Sequence, residues 1–70
     1  MVMQYTAVIK KEGDWWIGWI EEIQGVNCQE KTKEDLLKSL KITLKEAIDM
    51  NKQEAIREAS TNYIEASILI

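Results

Sequence analysis

The chain lacks several residue types on which protein chemistry often depends. Its 70 residues include no histidine, no proline, no phenylalanine and a single cysteine, Cys28. Because histidine is the side chain that most often transfers protons at neutral pH, its absence disfavours acid–base catalysis. One thiol cannot form an intrachain disulfide, and without histidine or a second cysteine the usual zinc ligand sets are excluded.

Other sources of catalysis are equally scarce. The serines have no histidine to activate them, and the three glycines are too scattered for a phosphate-binding loop. Cys28 lies in a predicted strand beside few cations, which favours a buried, inert thiol over a nucleophile. Asp14 belongs to a turn and Glu34 and Asp35 to a helix N-terminus, so they do not form a metal site. We therefore expect no enzyme activity, no catalytic residues, no metal and no cofactor.

Long apolar runs are missing as well. No run approaches the roughly 20 residues that a membrane helix needs, and Met1–Tyr5 lacks the charged and apolar regions of a secretory leader. We expect one small cytoplasmic domain spanning residues 1–70 that does not bind a membrane. A chain of this length buries only about 60% of its unfolded surface, so oligomerisation is expected to complete the core.

The net charge is −3, and the negative charge is concentrated in one part of the chain. Residues 21–35 contain five carboxylates and only two lysines. An acidic stretch repels nucleic acid and attracts basic partners, although a solvated loop explains it equally well. The candidate partner-binding residues of this segment are Glu21, Glu22, Glu30 and Glu34.

Two strand-like runs, residues 3–11 and 14–20, flank Glu12-Gly13 and predict a β-hairpin that pairs Lys11 with Asp14. Residues directly opposite in a hairpin share a face, so this register divides the side chains into two sets. The apolar set comprises Tyr5, Ala7, Ile9, Trp16, Gly18 and Ile20. The mixed set comprises Thr6, Val8, Lys10, Trp15, Ile17 and Trp19.

A short third strand is predicted at Val26–Gln29, after a turn at Gly25, and a helix is predicted from Thr32. Thr32 supplies an N-cap hydroxyl, and Glu34 and Asp35 add negative charge to the first turn. An apolar stripe within roughly 160° of arc is expected to pack on the apolar sheet face. The stripe comprises Leu36, Leu37, Leu40, Thr43, Leu44, Ala47, Ile48 and Met50.

The helical periodicity changes near Asn51, because Ile56 falls about 200° from Leu36, opposite the apolar stripe. We therefore predict a break near Asn51 and a short second helix with a new apolar face. That face comprises Ala55, Ile56 and Ala59.

Residues 60–62 predict a turn, and the β-branched run Tyr63–Ile70 predicts a fourth strand. The predicted fold is therefore α+β, with element order β-β-β-α-(α)-β. In this fold, an antiparallel sheet carries one main helix packed on one face.

One helix covers one face of a sheet, which leaves the mixed face of the hairpin open. A symmetric dimer that buries this face is the expected solution, although lysine and tryptophan side chains alone can cover a shallow surface. Clustered tryptophans also stack on bases in single-strand nucleic-acid binders, but the basic groove of such binders is missing. The predicted dimer interface comprises Val8, Trp15, Ile17 and Trp19.

An aromatic hairpin, a turn at Glu22-Ile23-Gln24-Gly25, a short strand and a helix start at Thr32-Lys33-Glu34-Asp35 follow one another along the chain. In this order and spacing they resemble the HicB-like antitoxin family. The resemblance extends loosely from Tyr5 to about Glu58. The chain departs from the family pattern at Gln24, where proline is usual, and at Glu30, where glycine is usual.

The resemblance implies a partly degraded ribonuclease-H-like fold, without ribonuclease-H chemistry because a recognisable set of metal-binding carboxylates is lacking. It also implies a domain that binds and neutralises a HicA-like toxin, a small basic ribonuclease. The leading hypothesis is a non-enzymatic, homodimeric antitoxin-like domain that binds protein and not nucleic acid. The alternatives are a stand-alone structural or regulatory homodimer without a toxin, and a weak single-stranded nucleic-acid binder that uses the hairpin tryptophans.

Overall fold

The computed structural model describes residues 4–69, which form a three-stranded antiparallel sheet followed by one helix. Strand β1 is Ala7–Glu12, β2 is Trp15–Ile20, β3 is Asn27–Glu30, and helix α1 is Lys33–Ala59. The strands lie in the order β1-β2-β3, and α1 packs over β2 and β3. The predicted α+β class is confirmed. The predicted strand ends at Met3 and Ile70 lie outside the described residues.

The hairpin turn lies one residue later than the sequence predicts. Glu12 pairs with Trp15, so Gly13 and Asp14 form the two-residue loop, and the predicted pairing of Lys11 with Asp14 is wrong. Gly13 has a φ of +61° and is the only residue of this loop with positive φ, as in a type II′ turn. A loop at Glu12-Gly13 would place Glu12 in that conformation, which is strained for a residue that carries a Cβ.

The two faces of the hairpin are nevertheless as predicted. The turn shift moves each pairing partner by two residues, and side chains alternate with a period of two, so no side chain changes face. The apolar face supplies the core, in which Ile20 and Val26 are buried with Leu36 and Leu40 of α1. The partly buried residues packed around this cluster are Tyr5, Ala7, Ile9, Trp16, Ile23, Cys28, Leu44 and Ala47.

Strand β3 begins one residue later than the predicted Val26–Gln29. The link from β2 turns at Gly25, whose φ is +85°, and the Ile20 N–H donates to the Val26 carbonyl oxygen at 3.1 Å. Val26 is therefore a buried residue of the connection, and pairing proper starts where Asn27 lies opposite Trp19.

Thr32 caps α1 as predicted. Its hydroxyl oxygen accepts a hydrogen bond from the Asp35 N–H at 3.1 Å, and Glu34 and Asp35 occupy the first turn. Carboxylates at this position interact favourably with the helix dipole. With the start fixed at Lys33, Leu36 and Leu40 point towards the sheet and are fully buried.

Gly18 in β2 is the point at which Leu36 packs onto the sheet. A Cβ built on this buried glycine would lie 2.9 Å from Ile9 Cγ2, 3.1 Å from the Val8 carbonyl oxygen and 3.2 Å from Leu36 Cδ2. Two of these neighbours are a stiff β-branched side chain and backbone, which give way poorly. The position therefore has no room for a side chain.

Helix α1 is continuous over 27 residues, so the predicted break near Asn51 and the separate second helix are wrong. At 1.5 Å per residue the helix is about 40 Å long, roughly twice the length of a six-residue strand. The predicted stripe is buried or half-buried as far as Ile48, apart from Leu37, whereas Met50 is 61% exposed. The helix has left the sheet before it reaches Ile56, so the position of Ile56 on the wheel requires no break.

The second half of α1 makes the molecule long and thin. Its principal extents are 51 × 23 × 15 Å, and the Cα radius of gyration is 15.3 Å. A compact 70-residue domain would have a radius of gyration of about 11 Å. No helix among residues 4–69 is long and apolar enough to cross a membrane.

The chain turns after α1 at residues 60–62, as predicted. Ser60 and Asn62 have φ values of 67° and 61°, and the Ser60 N–H donates to the carbonyl oxygens of Ile56 and Arg57. These bonds end the helix by satisfying two of its last carbonyl groups.

Residues 63–69 form no strand, so the predicted fourth strand is wrong for this part of the chain. Tyr63 and Ile64 instead line a groove against the last turns of α1, close to Ile56. Alternating apolar residues make a segment able to form a strand, but the strand forms only where a sheet edge lies within reach.

We expect Gly18→Ala to destabilise the protein by about 1–3 kcal/mol, since the added methyl group overpacks the contact between β2 and α1. Urea denaturation followed by far-ultraviolet circular dichroism measures this loss. The loss should be smaller when Ile9→Ala has already removed the nearest clashing atom. Equal losses in both backgrounds would show that the predicted clash with Ile9 is absent.

Candidate protein-binding surfaces

The sheet face opposite α1 carries the predicted dimer-interface residues on one surface. Trp15 and Trp19 are 38% and 40% exposed, whereas Val8 and Ile17 are half-buried. The pairing of Val8 with Trp19 places residues from β1 and β2 side by side. We call this surface the tryptophan face, and its members are Val8, Lys10, Glu12, Trp15, Ile17, Trp19, Asn27 and Gln29.

A lysine covers part of the tryptophan face. The ammonium group of Lys31 lies over the Trp15 ring, 4.0 Å from the ring centroid. Such a cation–π contact stabilises an exposed site by about 0.5–1 kcal/mol. The sequence pattern alone did not predict this contact, although the observed register, with Trp16 opposite Glu30, places Lys31 opposite Trp15.

The acidic residues predicted to bind a partner do not form one surface. The Glu22 carboxylate accepts a hydrogen bond from the Thr6 N–H at 2.8 Å, and the Glu21 N–H donates to the Thr6 carbonyl oxygen at 2.9 Å. Residues 21 and 22 therefore extend the pairing between β1 and β2 beyond Ala7. The hydrogen bond from the Thr6 backbone lowers the pKa of Glu22 below its usual value of 4.5.

Glu30 lies on the opposite side of the sheet from the tryptophan face. It is half-buried, and its carboxylate accepts a hydrogen bond from the Ser39 hydroxyl at 2.7 Å. This contact ties the end of β3 to the second turn of α1. Glu30 thus has a partner inside the domain, whereas Glu21 and Glu34 are exposed.

The single cysteine faces the helix. Cys28 is partly buried on β3, and its Sγ lies 3.4 Å from the Thr43 hydroxyl, within hydrogen-bond distance. This position agrees with a packing role for the thiol. Among residues 4–69, no group of three or more histidine, cysteine, aspartate or glutamate side chains is placed to share a metal ion.

A shallow groove of about 220 Å³ lies at the far end of α1, where the chain folds back. This groove was not predicted from the sequence. The apolar face expected for a second helix was the one feature of the sequence that could have indicated it. The lining of the groove is mostly apolar, and Lys52 and Glu65 are its charged residues. The residues lining it are Lys52, Ala55, Ile56, Ala59, Tyr63, Ile64 and Glu65.

Comparison with known proteins adds no assignment to this geometry. No protein-family model, no curated protein and no solved structure matches the chain.

Glu22→Gln is expected to reduce the loss of stability in acid. The folded-state pKa of Glu22 is lowered, so its contribution is present above the unfolded pKa and disappears as the pH falls through the lowered folded pKa. Urea midpoints measured from about pH 6 downwards should therefore fall less steeply in the variant than in the unmodified protein. Glu21→Gln, which leaves the bond between Glu22 and Thr6 in place, is the control. Identical pH profiles for Glu22→Gln and the unmodified protein would contradict this role.

Proposed function

We propose that the protein is a non-enzymatic protein-binding domain similar to a HicB-type antitoxin. The observation that carries the proposal is the tryptophan face, on which two large aromatic rings remain about 40% exposed beside half-buried aliphatic residues. Exposed aromatic clusters on a rigid sheet are typical of protein interfaces, because tryptophan supplies much buried area for little loss of conformational entropy.

The charge pattern favours a protein over a nucleic acid as the ligand of this face. Single-strand binders combine stacking rings with a basic groove that follows the phosphates. The lysines of this side are Lys10 and Lys31, and Lys31 is already placed over Trp15. The net charge of −3 opposes a polyanion as well.

The antitoxin proposal is supported by the order of the elements. An aromatic hairpin, a turn at Gly25, a short strand and a helix capped by Thr32 follow one another in the sequence order that resembles the HicB-like family. The proposed partner is accordingly a small basic ribonuclease toxin, bound in the cytoplasm and held inactive. Exposed Glu21 and Glu34 are the acidic groups best placed to attract it.

The tryptophan face is proposed to be covered by a second copy of the chain. With α1 on one side of the sheet and a second sheet on the other, a symmetric dimer would become a layered structure with both sheets buried. Val8, Trp15, Ile17 and Trp19 would then form the centre of the interface.

Trp19→Lys should halve the mass of the protein in solution, because a charge at the centre of the interface would be buried without a partner. Light scattering coupled to gel filtration measures the mass, and circular dichroism checks that helix and strand signals persist. Ile42→Lys is the matched control, since Ile42 is 59% exposed on α1. An unchanged mass for Trp19→Lys would place the interface elsewhere.

Neutralising the acidic segment should slow association with the toxin and weaken its salt dependence. The variant carries Gln at the exposed positions 21 and 34, which leaves the internal hydrogen bonds of Glu22 and Glu30 in place. The control carries Gln at the exposed helix positions Glu54 and Glu58, so both variants remove two charges. The toxin is first recovered as a basic protein that copurifies in stoichiometric amount and whose ribonuclease activity is lost on binding. Equal association rates for both variants at low salt would remove the acidic segment from the proposal.

Titration with single-stranded RNA separates the alternatives. No binding at low salt, together with recovery of an inhibited ribonuclease, supports the antitoxin function. Tight and salt-sensitive RNA binding that is lost in Trp19→Lys would favour the nucleic-acid alternative. Recovery of the protein alone, without RNA binding, would favour a stand-alone homodimer.

A further inference from the structure

The segment after α1 has the pattern of a strand but no strand partner. Residues 63–69, which we call the C-terminal segment, place Ile64, Ala66 and Ile68 at alternate positions. Ile64 and Ile68 are 92% and 85% exposed, and Leu69 is 76% exposed. Exposed alternating apolar residues of this kind are typical of a strand that pairs with another sheet edge.

Strand β1 offers such an edge. The Glu21 N–H bonds to the Thr6 carbonyl oxygen, so the backbone groups of Thr6 point towards the β2 side. Backbone direction alternates along a strand, and Ala7, Ile9 and Lys11 therefore direct their N–H and C=O groups away from β2. In the described sheet β1 is an outer strand, so these groups face an open edge.

One antiparallel register matches the C-terminal segment to this edge in both apolarity and charge. Placing Ala66 opposite Ile9 brings Ile68 opposite Ala7, and both pairs then extend the apolar face that packs under α1. The same register places Glu65 directly opposite Lys10 on the other face, where opposite charges attract. A slip by one residue would turn Glu65 onto the apolar face.

The β1 edge of the same molecule is out of reach. Ile64 and Glu65 line the groove beside Lys52, whereas burial of α1 against the sheet ends near Ile48. The five residues from Glu65 to Leu69 are four residue steps apart, and they span at most about 13 Å. The segment can therefore reach the margin of the sheet, but it cannot run along the roughly 20 Å of a six-residue strand.

We infer that the C-terminal segment of one copy pairs with β1 of a second copy as a fourth, antiparallel strand, and that the exchange is reciprocal. The overhanging half of α1 carries the segment away from its own sheet and presents it to the other molecule. Reciprocal exchange of an identical element between copies is a low-cost route to a dimer. It would also cover the open edge of β1.

A disulfide between two different chains tests the register. In the inferred pairing Ile9 and Ala66 form a hydrogen-bonded pair, so Lys10 and Glu65 form a non-hydrogen-bonded pair with Cα atoms about 4.5 Å apart, a distance that a disulfide spans. One chain carries Lys10→Cys and a mass tag, the other carries Glu65→Cys, and both carry Cys28→Ser. Mild oxidation of the mixture should yield a covalent heterodimer that reduction dissolves.

The control replaces Glu65→Cys by Ala66→Cys, whose side chain points to the opposite face. Its yield of heterodimer should be at least tenfold lower. A Lys10–Glu65 yield no greater than that of the control would overturn the inferred register.

A pair of proline variants tests the backbone pairing itself. Ala66→Pro removes an N–H that would donate to Ile9 and should abolish the covalent heterodimer, whereas Ser67→Pro removes an N–H that points away from β1 and should leave it intact. Circular dichroism should show α1 unchanged in both. Equal yields for the two proline variants would overturn the exchange.

The exchange uses the sheet edge, whereas the proposed function uses the tryptophan face, so the two can fail separately. If both contacts form, the assembly is a pair of exchanged dimers, and Trp19→Lys should halve its mass while the covalent heterodimer persists. A covalent heterodimer that persists in Trp19→Lys chains whose mass has not changed supports the exchange and overturns the tryptophan-face dimer. If the covalent heterodimer does not form and Trp19→Lys halves the mass, the exchange is overturned and the tryptophan-face dimer is supported.

Discussion

Leu36 can be fully buried against the sheet only because β2 carries no side chain at Gly18. The contact fixes how closely α1 approaches the strands, and the cap at Thr32 fixes where along the helix it falls. Leu40 then follows one turn later, and Ile20 and Val26 close the cluster from below. The rest of the fold depends on this small core, since only four large apolar residues of the described chain are buried.

A core of this size makes the protein one-sided. The single helix shields one face of three strands and leaves the other to tryptophan, isoleucine and lysine side chains, in a molecule only 15 Å thick along its shortest axis. The helix also runs far past the strands that it covers. Both features leave apolar surface without cover inside one chain, and both are understandable if the folded unit includes more than one polypeptide.

Local patterns predicted local structure well. The N-cap at Thr32, the faces of the hairpin and the grouping of Val8, Trp15, Ile17 and Trp19 follow from side-chain periodicity and hydrogen-bonding capacity alone. The position of the hairpin turn does not follow from the pattern. Loops at Glu12-Gly13 and at Gly13-Asp14 both fit it, and only the backbone conformation of Gly13 decides between them. Predicting the sites was harder, since Glu22 and Glu30 found partners in residues 16 and 9 positions away in sequence.

The helix and the C-terminal segment were mispredicted for one shared reason. A helical wheel assumes that every apolar residue must face the same sheet, and a strand pattern assumes that an edge is near. Neither assumption holds once α1 extends beyond the strands. Ile56 then lines a groove with Tyr63 and Ile64, and residues 63–69, which have the pattern of a strand, form none. Length mismatch between elements is a property of the assembled fold, which no window of sequence contains.

The three tryptophans occupy three different environments within five residues, and this has a spectroscopic consequence. Trp16 packs against the core, Trp15 lies beneath a lysine, and Trp19 is open to solvent. Fluorescence from Trp16 reports on whether the core is intact, whereas emission from Trp15 and Trp19 reports on the tryptophan face. Replacing them one at a time by phenylalanine separates these signals, so unfolding and surface contact can be followed in one sample without an added dye.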